Sequence, residues 1–188
     1  MRNLNAPFTE KTVRELKLGE VISVSGPVVT ARDEAHIRTL QLLDAGKPIP
    51  AILRGAVLYH CGPIMKKSAE GVWTVIAAGP TTSARMNKLE PRMIRECGIR
   101  AVIGKGGMSA EVAAVMKECG CVYLAATGGA AVSLAEGLAQ VTGVDWEDLG
   151  MAEAVWHFQA NNLGPLVVAM DTEGNSLYEQ VRERLNRA

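Results

Sequence analysis

Three times along this chain an apolar run stops at a glycine and a helix start follows. That recurrence restricts the fold more than any other feature of the sequence. Val72 to Ala78 runs into Gly79-Pro80, Ala101-Val102-Ile103 into Gly104-Lys105-Gly106-Gly107, and Val122 to Ala126 into a turn at Gly128-Gly129. Proline cannot donate to a sheet ladder and glycine frees the backbone, so each junction ends a strand. Continuous apolar runs describe strands buried on both faces, as in parallel sheets. The expected class is therefore α/β, built from strand–Gly-rich turn–helix units. In open sheets of that kind the turns collect at the carboxyl ends of the strands, where ligands bind. The turns at Gly79, Gly104 and Gly128 are expected to face one pocket.

The rest of the chain fits between these units. Glu20 to Ser25 reads as a strand ended by Gly26-Pro27, with Val28 to Ala31 a brief extension. Arg32 to Ala45 reads as a helix capped by Thr30 or Asp33 and stopped by Gly46. Ile52 to Tyr59 is extended, and Lys66 to Gly71 is a polar turn. A helix follows Arg85 to about Cys97, with Pro91 restarting it in a first turn that tolerates proline. Ser109 caps a helix to Glu118, and another runs from the Gly128 turn to about Val141. Ala154 to Gln159 and Leu166 to Asp171 are two strands, and Ser176 to Arg187 is a charged final helix. With 188 residues and no linker or repeat, one domain over 1–188 is expected.

Charge and apolar length exclude several roles. Lys+Arg and Asp+Glu both number 20, which lacks the basic excess of a general nucleic-acid or membrane-surface protein. No apolar stretch approaches the ~20 residues of a membrane span. Met1 to Lys17 is polar and does not read as a signal peptide, so a cytoplasmic location is expected. Cys61, Cys97, Cys119 and Cys121 form no Cys-x-x-Cys pair, and they read as reduced, mostly buried thiols rather than a metal set.

The chemistry points to an anion. Thr81, Thr82 and Ser83 stand where a helix should start, and helix N-termini attract negative charge. Arg85 lies about one turn after Thr81 and carries a donor fork that suits a carboxylate. Lys105 sits among glycines, but Gly106 follows it where a phosphate loop of the Walker type requires Ser or Thr. Arg32 opens a helix, where a cation is unfavourable, and such local cost hints at a site. His36 lies one turn on and could share its face. His60 and His157 have no evident partners in the sequence. Two arginines, a lysine and hydroxyls suit a small dicarboxylate. There is no acidic dyad, zinc site or Ser-His-Asp order, so the electrophile is expected from a partner.

Gly79-Pro80-Thr81-Thr82-Ser83-Ala84-Arg85-Met86, Gly104-Lys105-Gly106-Gly107-Met108, and Tyr123 to Ala126 running into Gly128-Gly129-Ala130-Ala131 resemble the β subunit of the iron–sulfur hydro-lyases. That family comprises class I fumarate hydratase and L(+)-tartrate dehydratase. Ala31-Arg32-Asp33 with His36, Trp146 to Met151, and Asp171 to Tyr178 fit it too, so the likeness spans about Thr9 to Glu183. The resemblance implies a swivelling β/β/α domain. It implies a 4Fe–4S cluster ligated by cysteines of an α subunit, not by this chain, in an α2β2 assembly. It implies that Thr81 removes the proton from carbon, and that Arg32, Arg85 and Lys105 bind carboxylate oxygens; Thr82 and His36 are counted with them as substrate-binding. The expected activity is reversible hydration of fumarate to malate. The alternatives are dehydration of L(+)-tartrate to oxaloacetate and a non-catalytic carboxylate-binding module.

Overall fold

The computed structural model describes residues 1–127 and 129–187. In chain order the first half contains β1 (Arg2–Asn5), α1 (Glu10–Arg14), β2 (Val21–Thr30), α2 (Asp33–Asp44), β3 (Val57–Tyr59), β4 (Ile64–Lys67) and β5 (Trp73–Ala77). The second half contains α3 (Glu90–Cys97), β6 (Ala101–Gly104), α4 (Ala110–Cys119), β7 (Val122–Ala126), α5 (Ala131–Glu136), β8 (Gln140–Asp145), β9 (Val155–Met170) and α6 (Leu177–Arg187). The mixed α/β class expected from the sequence is what forms.

The main sheet is not open. β2, β3, β6 and β7 are mutually parallel neighbours. β9 then pairs antiparallel with both β7 and β2, so these five strands close into a ring. Val167 of β9 pairs with Val21 on one side and Ala125 on the other. Successive side chains of a strand point to opposite faces, and the core divides accordingly. Val57, Tyr59, Ile103, Leu124, Trp156 and Phe158 fill one cluster on the inner face. Leu58, Val102, Tyr123 and Val155 face outward into a second cluster with Met93 and Ile94 of α3 and Val112 and Met116 of α4.

Several expectations are corrected. Val72 to Ala78 is not a strand buried on both faces. β5 pairs with β4 in a separate two-stranded sheet, and its burial alternates. Trp73 packs edge-on against Trp156 at 5.0 Å, while Val72 and Ile76 remain 62% and 48% exposed. A continuous apolar run does not tell a doubly covered strand from a hairpin with one open face.

Gly26-Pro27 does not end β2, which passes through with register shifts. On one edge of β2 the partner β1 stops at Ser25 and β3 starts at Val29, so the missing N–H of Pro27 falls in the gap. The two strands expected at Ala154–Gln159 and Leu166–Asp171 are one 16-residue strand, β9. The helix expected to reach Val141 stops at Glu136, and its last two residues, Gln140 and Val141, open the strand β8. A Cβ on Gly137 would lie 2.7 Å from the Leu163 backbone, so the chain turns there against β9. Ile52 to Tyr59 begins as a 3-10 turn (Ala51–Leu53), and β4 occupies the start of the supposed polar turn at Lys66. β1 lies before the expected core, with Leu4 buried. Gly128 lies outside the described residues. Among the described residues no helix is long and apolar enough to cross a membrane.

Candidate functional site

The site is built where β3 and β6 part. They remain paired as far as His60, whose N–H donates to the Ile103 carbonyl at 2.8 Å. Beyond that level the Thr81–Ser83 backbone wedges between them. Thr81 N–H donates to the His60 carbonyl at 2.7 Å, Ser83 N–H to the Lys105 carbonyl at 3.0 Å, and Lys105 N–H to the Thr81 carbonyl at 3.3 Å. The hydroxyl segment is therefore extended backbone, not the N-terminus of an α-helix. Only a 3-10 turn, Ser83–Met86, follows it, and Thr82 makes no side-chain cap. The correction matters chemically, because ladder bonds rather than a helix dipole hold Thr81 beside Lys105.

Glycine permits the close approach. A Cβ on Gly104 would lie 2.0 Å from Ser83 Oγ, so a side chain there would expel the wedge. The Gly79 and Gly104 turns therefore meet, as the sequence suggests. The third unit arrives through Ala131, whose carbonyl accepts from Ala78 N–H at 2.9 Å and whose Cβ lies 3.2 Å from where Gly79 would carry one.

The rim carries charge. Arg32 stands at the N-cap of α2 with Nε 2.8 Å from Glu153 Oε1 and 3.3 Å from Asp33 Oδ2. Arg85 grips the same Asp33 with Nε at 3.1 Å from Oδ1 and Nη2 at 2.8 Å from Oδ2. Burial pushes the Asp33 carboxyl up, but a backbone hydrogen bond and the two guanidiniums outweigh it and hold it below the usual range. Neither Thr30 nor Asp33 caps α2 as expected. Thr30 Oγ1 accepts from Trp156 N–H at 3.1 Å, and the Glu153 carboxylate accepts from Glu34 N–H at 3.0 Å in the first turn of α2. That remote anion offsets the cost of a cation at a helix start. Arg32 lies tight over Gly62, where a Cβ would be 2.9 Å from Nη1. Thr81 is half-buried, while Thr82, Arg85 and Lys105 are exposed. Among the described residues Lys105 makes no ion pair, which leaves its ammonium available to a ligand.

Beneath the rim is a buried polar floor. His36, His60, Ser83 and Glu90 are all 0% exposed. Glu90 Oε2 lies 2.9 Å from His36 Nε2 and 3.1 Å from His60 Nε2. His36 Nδ1 is 2.8 Å from the Arg32 carbonyl, and His60 Nδ1 is 2.9 Å from Ser83 Oγ. Tyr123 Oη donates to Ser83 Oγ at 3.0 Å. One proton assignment satisfies every contact. A carbonyl only accepts, so His36 Nδ1 donates to Arg32; a carboxylate only accepts, so both Nε2 atoms donate to Glu90. His36 is then charged. Ser83 receives from Tyr123 and donates to His60 Nδ1, so His60 is neutral.

The electrostatics agree with this assignment. Burial opposes charge on His36, but hydrogen bonding and attraction to Glu90 raise it above the ordinary histidine value. Burial lowers His60, and the neighbouring His36 adds to that. Burial also works against the Glu90 carboxylate, yet His60 and His36 hold it down at about 2.

The sequence brings Thr81, Thr82, Arg85, Lys105 and Arg32 to one place, and the structure gathers the same residues around the parted strands. His36 differs. It is fully buried with both ring nitrogens engaged, so it touches Arg32 and Glu90 from below rather than lining the opening. Glu90 and Glu153 carry no signal in the sequence, and Ser83 and Asp33 read there only as a helix-start hydroxyl and a cap. Glu90 reads as an ordinary acid in a first helical turn, and its partners lie 54 and 30 residues away. The only signal for His60 is its place at the end of an apolar segment before Gly62-Pro63. His157 stands 2.9 Å from Asp145 in the β8–β9 pair. Cys61, Cys97 and Cys121 are buried and all four cysteines are free, as expected from the sequence. Burial pushes the Cys61 and Cys97 thiols up to about 12 and about 11.

Comparison with known proteins identifies the family. A family model described as the fumarase C-terminus matches residues 2–181, and the chain belongs to that family. It is 45% identical over 179 residues to a putative L(+)-tartrate dehydratase subunit beta of Methanocaldococcus jannaschii, covering 95% of this chain and 91% of that one. It is 34% identical over 174 residues to the L(+)-tartrate dehydratase subunit beta of Escherichia coli K12, covering 93% and 85%. It is 44% identical over 180 residues to a putative fumarate hydratase class I of Geobacillus stearothermophilus; that match covers 96% of this chain but about a third, 34%, of the relative.

Proposed function

We propose that this member of the fumarase C-terminus family is the β subunit of a hydro-lyase that interconverts fumarate and malate. The carrying observation is the convergence of Arg32, Thr81, Arg85 and Lys105 on the gap where β3 and β6 part. Three cations around a half-buried hydroxyl suit a small dianion and suit proton removal from its carbon. In this reading Arg32 and Arg85 bind carboxylate oxygens through their planar forks, and Lys105 binds as a point charge. Thr82 adds a hydroxyl at the edge. Thr81 accepts the proton from carbon. A threonine hydroxyl is a weak base at its ordinary pKa, and the surrounding positive charge stabilises its alkoxide. His36 serves from below through the Arg32 carbonyl.

The 4Fe–4S cluster of this reading belongs to an α partner. The cysteines of this chain do not fit as its ligands, because among the described residues no three of them come together at metal-ligating distance. Among the described residues the grouping at metal-ligating distance is His36, His60 and Glu90, which contains no cysteine. An α2β2 heteromer, a cytoplasmic location, and a single swivelling β/β/α domain complete the proposal. L(+)-tartrate is the alternative substrate, favoured by relatives of similar length named tartrate dehydratase subunit beta. A carboxylate-binding module without chemistry is the remaining alternative.

Anaerobic co-expression with a candidate α chain, cluster reconstitution, and assay with fumarate, malate and both tartrate enantiomers tests this. Turnover of fumarate and malate is expected. Turnover of L(+)-tartrate alone would reassign the substrate, and turnover of none would sink the hydro-lyase reading.

A further inference from the structure

A carboxylate and two histidines buried at 0% exposure are costly to keep, and an apolar replacement of similar shape is often as stable. This cluster lies on neither the rim nor the hairpin, yet it reaches both limbs of the site in one step. His36 bonds the Arg32 carbonyl. His60 bonds Ser83 with its ring and Thr81 with its carbonyl. Both rings converge on the same oxygen, Glu90 Oε2, and stand T-shaped at 5.2 Å. Among the described residues Glu90 Oε1 has no hydrogen-bond partner. A carboxylate recruited only for stability would use both oxygens. One oxygen gripping two rings instead fixes the distance between them.

We propose that Glu90 is a positioning residue: through His36 and His60 it sets the separation between Arg32 and the Thr81–Arg85 limb. It touches no ligand. The proposal rests on the reading that these limbs grip a dicarboxylate. One potential ligand atom from each of the same three side chains lies within 4.8 Å of the others, and all three are of metal-binding type. Their contacts of 2.9 and 3.1 Å are hydrogen-bond lengths, and each uses the ring proton that a metal would replace.

Two variants in the reconstituted complex separate spacing from charge. In Glu90→Gln the amide oxygen can take the place of Oε2 and accept from both ring Nε2–H groups, so spacing survives while charge is lost. In Glu90→Asp charge survives, but a side chain shorter by one methylene cannot hold both rings in place. The expected result is that E90Q keeps kcat/KM within about 10-fold, whereas E90D falls by on the order of 100-fold, the loss attached to small misplacement of reacting groups. Met116→Ala, in the outer core, gives a comparably destabilised control with kcat/KM unchanged. Wild-type kcat/KM in E90D would overturn the proposal. So would losses that track thermal stability across all three variants. Stoichiometric divalent metal in the wild-type chain, absent from E90Q, would replace it with a metal site. An active wild type with an insensitive E90D sinks this proposal alone; a wild type inactive on every dicarboxylate sinks the functional reading and this with it.

Discussion

The rim and the floor of the site use the same kinds of residue under opposite conditions. On the rim Arg85 is 52% exposed in its side chain and shares Asp33 with Arg32. Such ion pairs are solvated, and exposed pairs contribute little to stability. On the floor Glu90 and its two histidines are fully buried from bulk solvent, so each ring proton needs an acceptor among the packed groups. The difference teaches that, on the proposed reading, rim groups can be exchanged for a ligand, since Asp33 and Glu153 already present carboxylates to Arg32 and Arg85. Floor groups cannot be exchanged without moving the backbone they hold.

The largest test of that contrast is on the rim. Thr81→Ala should reduce turnover by about 10²- to 10⁴-fold, the range for loss of a proton-transferring group, while substrate binding is largely spared. Steady-state kinetics with matched binding measurements check this, and unchanged turnover would remove Thr81 as the base. Arg85→Lys comes next. Loss of the two-pronged contact should cost about 10- to 100-fold in kcat/KM, equivalent to about 1.5–3 kcal/mol for a charge-assisted bond, with little change in melting temperature. A wild-type rate would argue against a bidentate carboxylate contact.

Gly104→Ala probes the boundary of rim and floor. Its Cβ meets Ser83 Oγ at 2.0 Å, so both stability, by about 1–3 kcal/mol as for overpacked cores, and activity should fall together. Intact activity in a destabilised protein would show that the wedge can shift freely.

The smallest effect is the pH dependence of stability, and it belongs to the floor. Glu90 lies below its usual value of 4.5, so its contribution is present above that pH and is lost as pH falls toward about 2. His36 lies above 6.5, so its contribution is full below that value and is lost as pH rises through the raised pKa. His60 lies below 6.5, so its contribution is present above that value and is lost as pH falls. The charge of Asp33 also acts on the two histidines, and that of Glu90 acts on Tyr123, Cys97 and Cys121. Stability should therefore peak near pH 6.5. Denaturant titrations across pH should show that peak in the wild type and a flatter curve in E90Q; identical curves would remove the ion pair from the floor.

The strand–turn–helix units that join β6 to α4 and β7 to α5, the hydroxyl and cation motifs, and the caps at Ser109 and Gly46 were legible in the sequence. Their physical causes are local: backbone freedom at glycine, a side-chain oxygen within reach of N–H groups three residues on, and apolar runs. The closing of the sheet by β9, the hairpin status of β5 and the strand β8 were not legible, because pairing joins residues that are distant in sequence. Glu90 shows the limit most sharply. Alone it is an acid at a helix start; only packing brings it against His36 and His60 and removes the water.

By itself, then, the sequence determined the inventory of the proposed site: Arg32, Thr81, Thr82, Arg85 and Lys105, and the glycines that let them approach. Only the tertiary structure decided what holds that inventory in place. Burial sets the cost of a charge and distance sets its partner, and neither exists until β3, β6 and α3 have met.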